Sequence, residues 1–379
     1  MKKILVVSQV VPQWFIDQIK MAFSESVELI CITGSEVSGC EIIPAPHYEN
    51  KSYKTKIRSW IKFNSFLKHW LKDMDDKIDI IIATSNPPIN SITIVKQKKH
   101  VPFAFIDWDP YPQGILSYGK TLPLRVVYHV WNKINNKYYP LIDRIITLGP
   151  SMEKEVRNSI STKINIESIP ISVDTDRIKP IAKENNLFLK NNKLFEKKII
   201  LFSGAMGYTK NIELILDTAD LMKYNSEICF VMIGSGPKYE IADQIIKKKE
   251  LNNVHLFPLQ SEEMYPFSIA CGDIALLPEQ IKKESTCVPS RTYSMMAAGE
   301  AIVAISHPEN DLSKMIVSNQ IGEVVSIEDP KELKRVLIEL ISDEERLSRF
   351  KQNARKTAEQ YYSLETVTKQ YKKVFDGLM

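Results

Sequence analysis

The sequence predicts an α/β protein with two parallel sheets, each covered by helices on both faces. Three observations support this fold class. The chain has 379 residues, which is more than a single hydrophobic core usually holds together. Short apolar runs alternate with helical patterns, and these runs are continuously apolar, as in strands that are buried on both faces. One polar interval interrupts this rhythm, which then starts again and predicts a second domain.

Five strands are predicted before the polar interval and five after it. The first five are KILVVSQV, VELICITG, IDIIIATS, VPFAFIDW and DRIITLGP, and the second five are EKKIILFSG, EICFVMIGSG, NNVHLFPL, GDIALLPE and AIVAIS. The interval is rich in Lys, Asn and Asp, which indicates an interdomain connection followed by a surface excursion. We expect domains over residues 1–175 and 190–355 and a helical tail over residues 356–379. Ligands of such sheets bind outside the carboxyl ends of the strands.

The composition is that of an ordinary soluble globular protein and argues against several other classes. Hydrophobic residues make up 44% and charged residues 25% of the chain, which argues against disorder. The five cysteines lack CxxC spacing, so we predict neither disulfides nor a structural metal site, as expected in a reducing cytoplasm. No apolar run reaches the roughly 18 residues of a membrane span. A net charge of +4 is too small to indicate nucleic-acid binding.

Two loops of the second domain follow a strand with glycines and precede a helix. In FSGAMGYTKNIELIL, Gly204 and Gly207 would let the backbone approach an oxyanion, and Lys210 would add a positive charge near the helix start. In VMIGSGP, Gly234 occupies a similar place, but the full GxGxxG spacing of a nicotinamide site is absent. Both loops could bind a diphosphate, and the alternative is that each is a plain strand-to-helix turn.

A third loop, VPSRTYSMMAAG, opens a helix of small residues. Pro289 fixes the backbone before the helix, Ser290 is a good cap, and Arg291 could pair with a phosphate. The amides of Ser290, Arg291 and Thr292 are expected to point outward from the helix start. The alternative is a self-capped helix whose small residues only permit close packing.

A basic segment of the first domain, KSYKTKIRSWIKFNSFLKHWLKDM, has the periodicity of an amphipathic helix. It places cations opposite one broad apolar face, the cations being Lys54, Arg58, Lys62 and Lys72 and the apolar residues Ile57, Trp60, Ile61, Phe63, Leu67, Trp70 and Leu71. Faces of this kind are typical of helices on anionic lipid. Arg58, Trp60, Lys62 and Trp70 are therefore candidates for contact with a membrane or an acceptor. The alternative is a helix that covers the first sheet with its tryptophans in the core.

Taken in order, these segments resemble the family-4 glycosyltransferases, which are retaining enzymes of the GT-B fold. The resemblance rests on the loop with Gly204, Gly207 and Lys210, on VMIGSGP, on NNVHLFPLQSEEMYPFSIACGDIALLPE, and on VPSRTYSMMAAGEAIVAIS. In the first domain, LIDRIITLGPSMEKEV and IPISVDTDRIKP also look like the family's last strand, helix and linker. The resemblance implies two Rossmann-like domains with parallel sheets that face a central cleft, and a C-terminal helix that packs back on the N-terminal domain.

The resemblance also implies the chemistry. The C-terminal domain would bind a nucleotide-diphosphate sugar, with UDP and GDP both open, through the three loops above and through Pro258 and Leu259. No metal or other cofactor is implied, because a helix dipole and basic residues stabilise the leaving diphosphate. The subgroup that resembles this chain best makes bacterial surface polysaccharides such as O-antigen, capsule and colanic acid. Its acceptors are commonly saccharides on polyprenyl diphosphate, which implies a cytoplasmic enzyme at the inner face of the plasma membrane.

The same subgroup carries a D-x-D block after a strand of the first domain, here Asp107, Trp108 and Asp109 in FIDWDPYPQGI. Asp109 or Asp107 could orient an acceptor hydroxyl or take its proton. Paired carboxylates could otherwise bind a metal, although the resemblance implies none. A third alternative is that one Asp caps the turn before Pro110.

The third loop departs from the family. The wider family has two Glu residues here, one at the donor sugar and one at the ribose, and the matching positions in this chain are Thr286 and Ser294. Glu284 lies close enough to compensate for the first. A serine hydroxyl cannot form the charge-assisted pair of a carboxylate, which would weaken nucleotide binding by about 1 to 2 kcal/mol. Two other classes therefore stay open: a nucleotide-sugar 2-epimerase of the same architecture and a catalytically inactive GT-B partner protein.

Overall fold

The computed structural model describes residues 1–23, 27–49, 52–74, 77–118, 121–208, 210–279 and 287–379. These residues form two compact units. Unit 1 comprises Met1–Pro170 and Val367–Met379, and unit 2 comprises Ile171–Thr366. The chain thus passes between units after residues 170 and 366, where the sequence predicts domain bounds at 175 and 355.

The described part of unit 1 contains a seven-stranded sheet whose neighbouring strands are all parallel. In chain order its strands are β1 (Lys2–Val7), β2 (Val27–Thr33), β3 (Glu41–Pro44), β4 (Ile80–Thr84), β5 (Phe103–Asp107), β6 (Arg144–Thr147) and β7 (Ile166–Ser168). Across the sheet the order is β3-β2-β1-β4-β5-β6-β7. The direction of winding therefore reverses between β1 and β4, and open α/β sheets bind ligands at the carboxyl ends of the strands beside such a point.

The helices of unit 1 cover both faces of this sheet. They are α1 (Gln13–Ala22), α2 (Tyr53–Lys72), α3 (Asn90–Gln97), α4 (Leu122–Tyr138) and α5 (Pro150–Ser159), with 3-10 turns at Gln113–Tyr118 and Tyr139–Leu141. Phe63 and Leu67 of α2 enter the core on one face, whereas Phe15 and Ile19 of α1 enter it on the other. Strands covered on both sides must be apolar throughout, which is the pattern the sequence has.

Unit 2 repeats this plan. Its strands are β8 (Lys198–Ala205), β9 (Ile228–Ser235), β10 (Val254–Phe257), β11 (Ile274–Pro278), β12 (Ala301–Ile305) and β13 (Gly322–Val325). Its helices are α6 (Leu187–Asn191), α7 (Ile212–Leu221), α8 (Tyr239–Lys249), α9 (Tyr265–Ile269), α10 (Arg291–Ala297), α11 (Asp311–Asn319), α12 (Pro330–Ser342) and α13 (Glu344–Thr357), with a 3-10 turn at Lys183–Asn185 and a π-helical turn at Ala358–Tyr362. Among the described residues the sheet is parallel, in the order β10-β9-β8-β11-β12-β13.

The last helix, α14 (Leu364–Asp376), carries the chain back into unit 1. Its side chains Val367, Tyr371, Val374 and Phe375 are buried in the unit 1 core. Phe375 stacks on Phe23, with ring centroids 5.3 Å apart. The expected packing of the C-terminal helix on the N-terminal domain is confirmed.

The polar interval between the two predicted domains is packed against unit 2. Asn186 accepts a hydrogen bond from the Leu189 amide at 3.1 Å and so caps α6. Phe188 and Leu189 are buried in the core of unit 2, and Phe188 contacts Phe257 edge to face. The predicted surface excursion is therefore wrong, because two apolar residues in an otherwise polar segment anchor one helical turn.

The α/β class with two Rossmann-like domains is confirmed, and all ten predicted strands are present. Three short strands at the edges of the sheets, β3, β7 and β13, were not predicted from the sequence. Within the ranges given above, no helix combines the length and the apolar character needed to cross a bilayer.

Candidate active site

The carboxyl ends of β8 and β9 touch through their glycines. A Cβ atom on Gly234 would lie 1.9 Å from the carbonyl oxygen of Gly204, and one on Gly236 would lie 2.8 Å from the oxygen of Met206. Gly204 and Gly236 also have φ angles of +156° and +135°, which L side chains rarely adopt. The Met206 amide donates to the Ser235 oxygen at 2.8 Å and locks the two loops together. The fold itself therefore requires glycine at 204, 234 and 236, whether or not a ligand binds there.

Gly207 differs from these three glycines. A Cβ atom built on it meets no atom of the described residues within 4 Å. Its neighbours thus give no steric reason for glycine, and the open space beside its backbone is available to a ligand. Packing therefore explains the glycine at position 204 but not the glycine at position 207.

Lys210 lies near the carboxyl ends of β8 and β11. Its Nζ forms an ion pair with Glu279, the residue that follows β11. Both side chains are largely shielded from solvent, at 23% and 17% exposure. The Lys210 amide donates to the Gly207 oxygen at 3.1 Å, and the Lys210 oxygen accepts from Lys238 Nζ at 2.9 Å. Backbone and side chain of Lys210 are therefore held from two sides, which presents a positioned cation beside Gly207.

Arg291 approaches the same loop from α10. Its Cγ atom would lie 3.8 Å from a Cβ atom on Gly204, and its guanidinium carbon lies 5.1 Å from the centre of the Tyr265 ring. An arginine over an aromatic face keeps its charge and its planar donors while its stem is fixed. The structure thus brings the first and the third predicted loops together at one end of the unit 2 sheet.

The start of α10 differs from the prediction. Ser290 has helical backbone angles and its side chain makes no capping hydrogen bond. The Thr292 amide donates to the Pro289 oxygen at 2.9 Å, so a turn opens the helix and uses one of the three amides expected to point outward. The prediction that Ser290 caps the helix is therefore wrong. Its hydroxyl is exposed, whereas the Thr292 hydroxyl is buried with no partner among the described residues.

The remaining donor candidates lie at different depths. Ser294 is half-buried in α10, between the buried side chains of Tyr293 and Met295. Pro258 and Leu259 are exposed and follow β10, the edge strand, which β9 separates from β8. Glu284 and Thr286 lie outside the described residues.

Asp107 closes β5 at the carboxyl end of the unit 1 sheet. The side chain is 1% exposed, and neither carboxylate oxygen has a hydrogen-bond partner among the described residues. Burial, and after it the nearby Asp109 carboxylate, raise the pKa of Asp107 well above its usual range. The amides of Trp108 and Asp109 both donate to Ser85 Oγ at 3.0 Å. Ser85 thus turns the chain after β5, and this turn leaves the Asp109 side chain exposed.

Several amide side chains that were not predicted as site residues lie in the segments that follow β1, β4 and β5. Their oxygens are buried without a partner among the described residues, and they belong to Gln9, Asn86, Asn90, Gln113 and Asn135. The Asn90 and Asn135 nitrogens are already bound, to the Thr84 and Tyr111 oxygens, each at 2.8 Å. Such oxygens can only accept, so they suit a ligand that donates hydroxyl protons. Polar residues directly after β1, β4 and β5 are the sequence signal that could have found Gln9, Asn86 and Asn90.

The basic helix α2 does not have the single apolar face that the sequence predicts. Phe63 and Leu67 are buried against the sheet, whereas Ile57 and Ile61 point to solvent beside Arg58 and Lys62. Trp60 and Trp70 are half-buried; Trp70 packs on the core, and Trp60 meets the Tyr111 ring at 5.7 Å. The predicted apolar face is therefore wrong in part, because the tryptophans contact the protein and the isoleucines do not.

Residues 184–357 match the model of the family described as Glycosyl transferases group 1. The probable glycosyltransferase WbjE of Pseudomonas aeruginosa is 24% identical over 270 residues, which are 69% of this chain and 66% of that protein. The putative colanic acid biosynthesis glycosyl transferase WcaI of Escherichia coli K12 is 24% identical over 181 residues, 46% of this chain and 43% of that protein. The chain thus spans 66% or less of the length of these two curated relatives.

Solved structures share the fold over the whole chain. The Anabaena protein Alr3699/HepE, crystallised with UDP and glucose, superposes with a TM-score of 0.73 at 12% identity and covers 100% of both chains. WaaG, described as a glycosyltransferase involved in lipopolysaccharide biosynthesis, has a TM-score of 0.72 at 12% identity over 99% of this chain and 100% of that one. The expected GT-B fold class is confirmed, and residues 184–357 match a glycosyltransferase family.

Proposed function

Since residues 184–357 form a glycosyl transferases group 1 domain, we propose that the chain moves a sugar from a nucleotide-diphosphate donor to a saccharide acceptor, with retention at the anomeric carbon. The observation that carries this proposal is the grouping of Gly207, Lys210 and Arg291 at the carboxyl end of the unit 2 sheet. An open backbone stretch between two cations suits a diphosphate, whose charge grows as the bond to the sugar breaks.

The donor side of the proposal needs no metal. Lys210 Nζ is paired with Glu279 and would also form an ion pair with the leaving diphosphate. Arg291 would add a planar set of hydrogen-bond donors. Glu279 would keep the lysine in place between turnovers. We therefore expect transfer to persist when divalent ions are removed with EDTA.

The acceptor side of the proposal rests on unit 1. Asp109 is exposed and would take the proton of the acceptor hydroxyl. Burial raises the pKa of Asp107, so it would donate a hydrogen bond rather than act as a base. The oxygens of Asn86 and Asn90, which lack a partner among the described residues, would accept bonds from further sugar hydroxyls.

We propose that this acceptor is a saccharide on a polyprenyl diphosphate, at the inner face of the plasma membrane, during synthesis of a surface polysaccharide such as O-antigen or capsule. The curated description of WcaI as a colanic acid biosynthesis enzyme supports this pathway class. The exposed cations Arg58 and Lys62 on α2 would lie toward anionic lipid headgroups.

The test compares two lysine variants in a screen of UDP- and GDP-sugars. Lys210→Ala should lower turnover at least about tenfold with an unchanged melting temperature. The control is Lys223→Ala, which removes a surface lysine paired with Asp220 at 3.0 Å and should keep full activity. Unchanged turnover in Lys210→Ala would overturn the proposal. Failure of the native protein to bind UDP or GDP at millimolar concentration would favour an inactive partner, and donor conversion without acceptor would favour an epimerase.

A further inference from the structure

Four of the five tryptophans of the chain surround one short segment of unit 1, residues 108–111. They are Trp14, Trp60, Trp108 and Trp131, and each is at least partly exposed to solvent. Trp14 of α1 packs on Trp108, with ring centroids 6.2 Å apart, and Tyr111 contacts the rings of the other two. The segment also contains Asp109, the proposed base. Aromatic side chains are thus concentrated where the proposed acceptor reacts.

Trp14 is the most exposed of these tryptophans, at 44%. Its neighbour Phe15 is fully buried in the core and meets the Trp108 ring edge to face at 5.0 Å. Trp108 packs on the same core cluster as Phe15. The pair of Trp14 and Trp108 is therefore anchored to the core through Phe15, while much of the Trp14 side chain stays at the surface. Core packing explains Phe15 but does not require a tryptophan at position 14.

Backbone hydrogen bonds join this aromatic pair to the proposed base. The amides of Trp108 and Asp109 both donate to Ser85 Oγ at 3.0 Å, which fixes the two residues relative to each other. Consecutive Cα atoms are about 3.8 Å apart, so the aromatic pair begins one residue from Asp109. A sugar bound at Asp109 would therefore have an indole surface directly beside it.

The chain around Trp14 is nearly uncharged. From Ser8 to Ile19 it contains no Lys or Arg and a single acid, Asp17, so an anionic ligand finds no cation in this segment. A pyranose ring suits it better, because the negative π face of an indole attracts the C–H groups of the sugar ring. A second copy of the chain does not suit it. At 44% exposure Trp14 offers about 110 Å², whereas each side of a stable interface buries about 800 Å².

We propose that Trp14 and Trp108 form a subsite for the second sugar of the acceptor, counted from the sugar that reacts at Asp109. The acceptor would thus carry at least two sugars, the second of which stacks on the Trp14 ring. This inference rests on the proposed sugar transfer and specifies its acceptor. A transfer reaction that joins these two sugars must then precede the one that this chain catalyses.

The test measures by calorimetry how tightly the full chain binds monosaccharides and disaccharides. The probes are methyl glucoside with methyl maltoside and methyl cellobioside, methyl mannoside with methyl mannobioside, and methyl N-acetylglucosaminide with methyl chitobioside. At least one disaccharide should bind about tenfold or more tightly than its own monosaccharide, because the second ring removes apolar indole surface from water. Trp14→Leu should abolish this gain, since leucine keeps an apolar contact with Trp108 but offers no flat aromatic face.

Two further variants and a folding check accompany this test. Trp14→Phe should retain part of the gain, because it keeps a smaller aromatic ring. The control is Tyr224→Ala, which removes a 93% exposed aromatic side chain of unit 2 and should retain the whole gain. Thermal melts show whether each variant is folded. If Trp14→Leu does not fold, Trp14→Phe decides, and it should reduce the gain at least about threefold.

Three results would overturn the inference. The first is a native protein that binds no disaccharide more tightly than its monosaccharide. The second is a folded Trp14→Leu variant that keeps the full gain, because Trp14 would then serve packing alone. The third is an equal loss of the gain in Tyr224→Ala. Nucleotide binding separates the two proposals. A native chain that binds UDP or GDP but shows no gain refutes this inference alone, whereas a native chain that binds neither nucleotide refutes the proposed transfer.

Discussion

The carboxyl ends of the two sheets carry opposite chemistry although the sheets share one plan. In unit 2 this end presents glycine backbone, Lys210 and Arg291, which attract an anion. In unit 1 it presents the uncharged oxygens of Asn86 and Asn90 around a buried Asp107, which suit a neutral ligand rich in hydroxyls. The carboxyl ends of the two sheets thus differ in the residues that follow the strands, and we expect these residues to decide which ligand each unit binds.

The largest expected effect comes from comparing Gly234, which the fold requires, with Gly207, which we propose a ligand requires. Gly234→Ala places a Cβ atom 1.9 Å from the Gly204 oxygen, so the two loops must move apart, at a cost of about 3 kcal/mol or more. We expect a lower melting temperature and loss of UDP or GDP binding. Gly207→Ala has open space and should keep its melting temperature while nucleotide binding falls. Calorimetry and thermal melts decide, and unchanged nucleotide binding in Gly207→Ala would remove Gly207 from the site.

The next effect tests whether unit 1 supplies the base. Asp109→Asn should lower turnover about 100-fold, the usual size of general-base catalysis. Because the side chain is exposed, the melting temperature should not change. The control is Asp17→Asn on α1, where the side chain is exposed and an asparagine oxygen can still accept the bond from Gln13 Nε2 at 2.9 Å. Full activity of Asp109→Asn in steady-state assays would mean that another group takes the proton.

Asp107 and Glu300 are buried carboxylates at opposite ends of their sheets. Glu300 precedes β12 in unit 2 and accepts a bond from the Gly272 amide at 2.7 Å, at the amino ends of the strands. Burial raises the pKa of Glu300 to about 8. Its contribution to folding stability is therefore fully present below the unfolded pKa of about 4.3 and is lost as pH rises through about 8.

Glu300→Gln keeps an acceptor for Gly272 and cannot ionise. At pH 8 and above it should be more stable than the native chain by several kcal/mol, since each unit by which burial raises the pKa of Glu300 corresponds to about 1.36 kcal/mol. The difference should vanish near pH 4, and turnover should be unchanged. Asp107→Asn should show the same sign of pH dependence, because burial also raises the pKa of Asp107, but it should lower turnover as well. Thermal melts between pH 4 and 9 test this, and a Glu300→Gln curve parallel to the native one would contradict it.

The smallest effect is expected from a substitution that restores a carboxylate in unit 2. Ser294 occupies the position at which the wider family has a glutamate for the ribose. Ser294→Glu should tighten nucleotide binding by about 1 to 2 kcal/mol, which is about 5- to 30-fold, by adding a charge-assisted bond. Ser318→Glu, on α11, is a matched substitution away from the site. Weaker binding in Ser294→Glu than in Ser318→Glu would show that this pocket has no room for the family's side chain.

The family blocks predicted most of the candidate residues of unit 2 but only the two aspartates in unit 1. Glycine motifs leave a sequence signature, from which Gly204, Gly207 and Lys210 were predicted. Asn86, Asn90 and Asn135 leave only a weak signal, their place after β4 and β5, and it is burial in the tertiary structure that leaves their oxygens without partners among the described residues. The edge strands β3, β7 and β13 were missed because each has only three or four residues and one of these is a glutamate, which interrupts the apolar run.

Continuous apolar runs such as KILVVSQV were enough to predict ten strands and their parallel arrangement, since these depend on local hydrophobicity and on handedness. The same pattern predicts that ligands bind at the carboxyl ends of the strands. The faces that helices bury could not be predicted in the same way. Periodicity gives α2 and α4 an apolar face but cannot say what covers it, because the cover comes from segments distant in the chain. The Tyr111 ring contacts the rings of both Trp60 and Trp131. The Ser159 carbonyl oxygen accepts hydrogen bonds from Asn132 and Asn136 of α4. Those tertiary contacts turn the tryptophans of α2 inward and leave the valines of α4 exposed.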